Sequence, residues 1–151
     1  MLYRVIETAL APIREDVNQL LPGEPVSTGI LVVDDQHRAL LEMILQLEVA
    51  MSAGRGHEAI PSLFSSLKRY ADFHFGTEER LMRSFGYPLA ESHAIQHRLM
   101  IEALGRAELR HTSGDSRMAV EVLDLMTEWR DHHIPSWDAP MGAFLNEAGV
   151  A

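Results

Sequence analysis

The sequence predicts an all-α protein: an antiparallel up-down four-helix bundle with an additional N-terminal helical segment. Two observations lead to this fold class. Apolar residues recur at helical spacing in five blocks, and turns containing Gly and Pro separate those blocks. Four long helices with short connections form an antiparallel bundle by default. We expect a helical extension in residues 1–25 and the bundle in residues 26–151.

The first two blocks are separated by a strong stop signal. Residues 2–21 form an amphipathic helical pattern, which Pro12 should bend or break. A Pro-Gly-Glu-Pro run then ends this block. The next helix is predicted to start at Asp34 or Asp35, either of which could cap it, and to end near Gly54.

An extended segment is expected at residues 26–33, ahead of that helix. Pro61 is placed in the first turn of the following helix, where proline is tolerated, and Phe73 on its apolar face. Pro135 and Pro140 should break the regular pattern near the end of the chain, before a short tail. The three remaining predicted helices are 60–84, 89–109 and 117–133.

Composition excludes several classes of function. The net charge of -9 argues against nucleic acid or an anionic membrane as partner, because both need concentrated Lys and Arg. The absence of cysteine excludes disulfides, thiolate zinc sites, iron–sulfur clusters and cysteine nucleophiles. No apolar stretch approaches the roughly 20 residues that a bilayer requires. We therefore expect a cytoplasmic protein.

Histidine and carboxylate spacing indicates a metal site. His74 and Glu78 are four residues apart, so they lie on one helix face and can reach one point. His93 and His97 have the same spacing in the next helix. An earlier helix contributes His37.

The last helix offers His133 and Asp138, which are five residues apart. This separation does not stack on a regular α-helix, so Pro135 and the end of the helix would have to supply a local change. Five imidazoles and two carboxylates are too many ligands for one zinc ion, which takes four. They suit two ions bridged by the carboxylates. Imidazole with carboxylate favours iron, although zinc, copper and nickel are chemically possible.

Taken in order, these motifs resemble those of hemerythrin-domain proteins, specifically the bacterial single-domain kind. The resemblance covers residues 27–138, most of the chain. The motifs that carry it are Thr28-Gly29-Ile30, Asp34-Asp35-Gln36-His37, His74-Phe75-Gly76-Thr77-Glu78-Glu79, Tyr87-Pro88, His93-x-x-x-His97 and Trp129-x-x-x-His133-Ile134-x-x-x-Asp138.

This resemblance implies a di-iron centre that binds dioxygen. Three histidines would hold one iron, two would hold the other, which keeps a position open for oxygen, and two carboxylates would bridge both together with an oxygen atom from solvent. In that order these residues are His93, His97 and His133, then His37 and His74, then Glu78 and Asp138.

A charge count favours an oxygen carrier, store or sensor. Transfer of two electrons from the irons to dioxygen forms peroxide, and the proton of the bridging hydroxide moves to that peroxide, so the net charge of the site is unchanged. The alternative is a di-iron enzyme or redox sensor acting on peroxide, nitric oxide or ferrous iron. Partners other than dioxygen would be a second copy or another protein, bound through the N-terminal helix.

The expected oxygen pocket contains Trp129, Arg130 and Ile134. Arg130 departs from the family pattern, which has leucine there. It either turns outward along its aliphatic stem or places a donor near bound oxygen, which would favour enzyme chemistry. The outward orientation is preferred, because an unpaired buried guanidinium is costly. Met141 also falls where the family tends to have tyrosine.

The other histidines and one carboxylate are given structural roles. His57, His111 and His132 fall in predicted loops or off the ligand pattern, and Glu79 is read as a solvated helix carboxylate. Residues 1–25 are extra relative to the family pattern. We expect them to pack against the bundle or against a second copy; the alternative is a lid or a partner-docking helix.

Overall fold

The computed structural model describes residues 25–112 and 117–151, and over these ranges it is helical with no strand. The all-α bundle predicted from the sequence is confirmed. The predicted N-terminal helix of residues 2–21 lies outside the described residues. The helices are α1 (Leu31–Ser52), α2 (Gly56–Phe85), α3 (Ala90–Thr112), α4 (Met118–Glu128), a π-helical segment (Trp129–Asp138) and α5 (Ala139–Glu147).

Contacts between α2 and α3 show the antiparallel arrangement directly. Lys68 of α2 donates to Glu108 of α3 at 2.7 Å, whereas Glu79, further along α2, meets His97, which is earlier in α3. The connections are short, with three residues between α1 and α2. Helix α4 packs on both α3 and α1 and closes the bundle.

Helix α1 begins at Leu31, three residues before the earlier of the two predicted start positions. Asp34 is not the N-cap but lies in the first turn of α1. Its carboxylate accepts hydrogen bonds from Ser27 Oγ at 2.6 Å and from the amide and hydroxyl of Thr28 at 2.8 Å. The side chain therefore fastens the extended segment to the helix. The predicted extension to residue 33 is wrong, because the extended backbone ends at Ile30.

Helix α2 is longer than predicted, beginning at Gly56 and ending at Phe85. Pro61 consequently lies in the second turn, where the absence of its N–H removes one helical hydrogen bond. Phe73 was expected on the apolar face, but it is 62% exposed, so that expectation is wrong. Gly86 ends the helix with a left-handed φ of 69°, a conformation that glycine adopts without strain.

The chain does not break after His133. Helix α4 passes directly into the π-helical segment, and this passes into α5. The wider π turn accommodates Pro135, which would clash with the carbonyl four residues back in an α-helix. Pro140 lies in the first turn of α5, where its missing N–H is harmless. The predicted break and short tail are therefore wrong.

The apolar interior is divided into two parts. The larger part, the main core, runs from Leu40 in α1 to Ile134 in the π-helical segment. The smaller part, the lower core, closes the end of the bundle that lies away from the main core. Along each of the four bundle helices, the polar residues of the candidate site lie between these two parts. The lower core consists of Ile30, Val33, Met82, Tyr87, Met141 and Leu145.

The lower core is held by a close contact between Gly142 of α5 and the extended segment. A Cβ atom at Gly142 would lie 2.1 Å from the carbonyl oxygen of Thr28, so only glycine fits. Asn146 Nδ2 donates to the same carbonyl at 3.1 Å. Among the described residues, no helix is long and apolar enough to cross a membrane.

Candidate metal centre

Seven histidine and carboxylate side chains converge between the two parts of the core. Helices α1, α2 and α3 and the π-helical segment each contribute at least one of these side chains, and none of the seven is more than 7% exposed. The structure thus brings together every ligand expected from the sequence. They are His37 of α1, His74 and Glu78 of α2, His93 and His97 of α3, and His133 and Asp138 of the π-helical segment.

The π-helical segment explains how His133 and Asp138 face the same point. In an α-helix, residues five apart would be offset by about 140° around the axis. A π-helix places residues five apart one turn above each other, and Ala139 N–H donates to the carbonyl of Ile134, five residues back. His133 Nε2 and Asp138 Oδ1 are accordingly 3.0 Å apart. The local change came from helix type and not from the end of a helix.

The carboxylate of Glu78 faces two groups of histidines with its two oxygens. Oε2 lies 3.0 Å from His97 Nε2 and 3.6 Å from His93 Nε2. Oε1 lies 3.4 Å from His74 Nε2 and 4.0 Å from His37 Nε2. One oxygen is therefore available to each group.

Asp138 divides its oxygens in the same way. Oδ1 lies 2.9 Å from His93 Nε2 and 3.0 Å from His133 Nε2, whereas Oδ2 lies 2.9 Å from His37 Nε2. The cluster thus consists of two overlapping sets of donor atoms that share both carboxylates. We call them the three-histidine half (His93, His97, His133) and the two-histidine half (His37, His74).

The donor atoms fit metal ions better than they fit one another. The Nε2 atoms of His93 and His133 are 3.2 Å apart, and both face Asp138 Oδ1. Ligand bonds of about 2.1 Å at right angles place neighbouring donors about 3.0 Å apart, close to these separations. In addition, His74 Nε2, His97 Nε2 and both oxygens of Glu78 are buried without a hydrogen-bond partner among the described residues. Such orphaned atoms are costly unless a cation uses them.

Burial keeps two of the imidazoles neutral. It lowers the pKa of His74 to about 3 and the pKa of His97 to about 2, and neighbouring histidines act in the same direction. A neutral imidazole has a free lone pair, which is the form that binds a metal ion.

The two carboxylates titrate in opposite directions in the metal-free protein. Burial, followed by the nearby charge of Asp138, raises the pKa of Glu78 well above its usual range. Burial alone would raise the pKa of Asp138 too, but hydrogen bonds from His133, His37 and His93 hold it well below its usual value. The raised pKa favours the protonated form of Glu78, and a bound cation would displace that proton.

Gln36 fixes the orientation of the His74 ring. His74 Nδ1 donates to Gln36 Oε1 at 2.7 Å, and Gln36 Nε2 donates to Thr77 Oγ1 at 3.2 Å. The Thr77 hydroxyl in turn donates to the carbonyl of Phe73 at 2.8 Å, so it must accept from Gln36. The proton of the ring thus lies on Nδ1, and Nε2 faces the cluster as an acceptor. Sequence reasoning assigned Gln36 no role, although it directly precedes His37.

Glu79 is not the solvated carboxylate that was expected. Its Oε1 accepts from His97 Nδ1 at 3.1 Å, and its side chain is 26% exposed. The reason is the register of α2 against α3, which places Glu79 beside the outer nitrogen of the ring. Spacing along one helix gives no sign of this contact.

Aromatic and aliphatic side chains cover the side of the cluster that faces the main core. Trp129 stacks on Phe75 at 4.8 Å between ring centroids, and Phe75 stacks on His97 at 3.9 Å. Ile134 is fully buried beside them. Tyr70, which was not predicted as a site residue, stacks on His74 at 5.2 Å. Burial raises its pKa well above 10, and its hydroxyl has no partner among the described residues.

Arg130 is committed to a neighbouring carboxylate. Its Nε and Nη2 atoms donate to the two oxygens of Asp131 at 2.6 and 2.8 Å. The Arg130 side chain is 10% exposed, whereas Asp131 is 51% exposed. The guanidinium therefore turns to a carboxylate at the surface, as the outward orientation requires, but most of its stem is covered.

A cavity of about 340 Å³ opens between α3 and the chain running from α4 into the π-helical segment. Its walls are mostly apolar and reach inward to Phe75 and Trp129. His133, the most exposed of the seven cluster residues at 7%, forms part of its wall.

The remaining histidines stay outside the cluster. His57 and His111 were expected in loops, but both lie in helices, with their rings 4.9 Å apart. His132 is 70% exposed and lies 3.6 Å from Glu128.

Comparison with known proteins identifies the family. The family model described as "Hemerythrin HHE cation binding domain" matches residues 28–144. The bacteriohemerythrin of Pseudomonas aeruginosa (strain LESB58) is 34% identical over 116 residues, which cover 77% of this chain and 74% of that protein. The bacteriohemerythrin of Stenotrophomonas maltophilia (strain R551-3) is 30% identical over 74% of this chain and 71% of its own length. That of Clostridium acetobutylicum is 28% identical over 70% of this chain and 85% of its own. On the combined strength of this match and the buried histidine–carboxylate cluster, the chain belongs to the hemerythrin family of metal-binding helical bundles.

Proposed function

We propose that the cluster holds two iron ions and that this pair binds dioxygen reversibly, as a carrier, store or sensor. One observation supports the proposal above all others. Each carboxylate presents one oxygen to the three-histidine half and the other to the two-histidine half, which is the arrangement that two adjacent cations need. A single ion at either half would leave the histidines of the other half without a cation.

The unequal number of histidines gives the two ions different roles. His93, His97 and His133 would hold one ion, and His37 and His74 the other, with Glu78 and Asp138 shared. The two-histidine half has one protein donor fewer, so it is where a small molecule would bind. When bound, two ferrous ions supply the two electrons that dioxygen takes up.

The surrounding residues exclude water from that position. Phe75 and Trp129 are nearly inaccessible to solvent and lie against the His74 ring, and Ile134 is fully buried in the same core. A pocket without water favours reversible binding, because water and protons would otherwise react with the reduced oxygen and release it. His74 is held in one orientation by Gln36, so the ring need not move when an ion binds.

The alternative function, a di-iron enzyme or redox sensor, rested on a donor from Arg130 near bound oxygen. The guanidinium is paired with Asp131 instead, which takes away that support. We further propose that the protein acts in the cytoplasm. We also propose that residues 1–25 pack as a helix on the bundle or on a second copy; the alternative is a lid or a partner-docking helix that regulates access to the cluster. Unchanged oligomeric state and oxygen affinity after deletion of residues 1–24 would leave that alternative without support.

The decisive experiment is an anaerobic titration of ferrous iron into the metal-free protein, followed by oxygen and then its removal, watched by visible absorption. We expect two irons per chain, a charge-transfer band with oxygen, and loss of that band on deoxygenation. Glu78→Gln serves as the matched control, because it keeps the shape of the side chain but removes a shared anionic ligand. It should bind fewer than two irons. Irreversible oxidation of two irons would favour the enzyme or redox sensor.

A further inference from the structure

The outer nitrogens of two cluster histidines have partners of different charge. His97 Nδ1 donates to the carboxylate of Glu79 at 3.1 Å. His74 Nδ1 donates to the carboxamide of Gln36 at 2.7 Å. The two contacts are otherwise alike, since each fixes the proton on Nδ1 and directs Nε2 into the cluster. They differ by a negative charge, and that charge adjoins only the three-histidine half.

Within residues 25–112 and 117–151, Glu79 is the sole outer carboxylate on these rings. The other carboxylates within 4.0 Å of the five histidines are Glu78 and Asp138, the shared ones. The Nδ1 atoms of His37 and His93 are buried and have no hydrogen-bond partner in the described part of the chain. Apart from the number of histidines, the difference in charge around the two halves is therefore concentrated at one contact.

We propose that Glu79 is a positioning residue that increases the difference between the two halves of the centre, so that the three-histidine half binds its ion more tightly. This inference rests on the proposed binding of two ions. A carboxylate that accepts the outer N–H makes the imidazole a stronger donor to a metal ion. A neutral carboxamide polarises the ring much less.

The surroundings of Glu79 leave its charge largely effective at His97. The side chain is 26% exposed, so it is only partly screened by water. Arg83 is the cation near it, at 3.7 Å from Oε2, but the Arg83 side chain is 68% exposed and the pair is correspondingly weak. Oε1, the oxygen that faces His97, is the nearer of the two to the cluster.

The test is a titration of the metal-free full-length protein with Co²⁺, whose binding can be observed without any reaction with oxygen. Exchangeable imidazole N–H signals, shifted by Co²⁺ in proton NMR, show which histidines are bound at each step. In Glu79→Gln, affinity for the ion at His97 should fall about 10- to 100-fold, whereas affinity at the two-histidine half should change little. This variant keeps a hydrogen-bond acceptor and removes only the charge.

Gln36→Glu is the mirror variant. It places a carboxylate behind His74, so affinity at the two-histidine half should rise by a similar factor and the two steps should draw together. Arg83→Gln leaves the contact with His97 in place and should leave both steps as they are. Helix content measured by circular dichroism controls for folding.

Three results would overturn the inference: unchanged affinities in Glu79→Gln, an equal loss at both steps, or no gain in Gln36→Glu. Failure of the proposed function looks different. If the parent protein binds a single Co²⁺ ion, two-ion binding is refuted. A tenfold loss in Glu79→Gln would still support the role of Glu79, and an unchanged affinity would still refute it.

Discussion

Acid should destabilise the metal-free protein through its buried histidines. Burial lowers the pKa of His74 to about 3 and that of His97 to about 2, against 6.5 in an unfolded chain. The unfolded state therefore takes up a proton at each position below about pH 6.5, and the folded state does not. Stability from these groups is complete above that pH and is lost as the pH falls.

The magnitude follows from the two pKa values. Between pH 7 and pH 5, each histidine should cost about 2 kcal/mol of unfolding free energy, so the pair should cost about 4 kcal/mol. Glu78 opposes this, because its raised pKa lets the folded state hold a proton at a pH where the unfolded state has already lost it. Asp138, whose pKa is lowered, acts mainly at more acidic pH.

The contributions of Glu78 and Asp138 cancel when the pH dependence of a variant without the two histidines is subtracted from that of the parent. Urea unfolding of the metal-free parent and of His74→Gln/His97→Gln is followed by circular dichroism at pH 7 and pH 5, with chelator present. Between pH 7 and pH 5, the unfolding free energy of the double variant should fall by about 4 kcal/mol less than that of the parent. The double variant should nevertheless be less stable than the parent at pH 7. His132→Gln, at a side chain that is 70% exposed, is the matched control and should behave like the parent. Equal losses in the parent and the double variant would refute the reasoning.

Three further predictions concern residues around the centre. Gly142→Ala should destabilise the protein by about 1–3 kcal/mol in urea unfolding, because its Cβ would lie 2.1 Å from the carbonyl of Thr28; an unchanged midpoint would contradict that contact. Tyr70→Phe should raise the stability of the metal-free protein by about 1 kcal/mol, since the buried hydroxyl has no partner among the described residues, and a loss would show that it has one. Arg130→Leu should leave peroxide and nitric oxide turnover the same as in the parent, because the guanidinium is engaged by Asp131; lower turnover in the variant would revive an enzymatic role.

The convergence of the seven side chains could be predicted because most of it depends on spacing along single helices. His74 with Glu78 and His93 with His97 follow from a period of 3.6 residues, whatever the rest of the fold does. The pairing of His133 with Asp138 was also predicted, but for the wrong reason. A helix end was assumed where the chain forms a π-helix, and the stability of that unusual turn depends on packing against other helices.

Contacts between helices account for what the sequence did not predict. Glu79 reaches His97, and Gln36 reaches His74, only because of the register in which neighbouring helices pack. That register is set by the cores on either side and not by any local motif. The same holds for Asp34, whose role depends on the path of the extended segment.

The π-helical segment changes what a deletion does between His133 and α5. Loss of one residue from 134–137 would leave His133 and Asp138 four residues apart, and this separation stacks on one face of an ordinary α-helix. A shortened chain could therefore keep both side chains at the cluster by exchanging the π turn for an α turn. Loss of Pro135 suits this exchange best, because a proline at that position opposes an α-helix. We expect this deletion to be tolerated better than an insertion, which would turn Met141 and Gly142 away from the lower core and from Thr28.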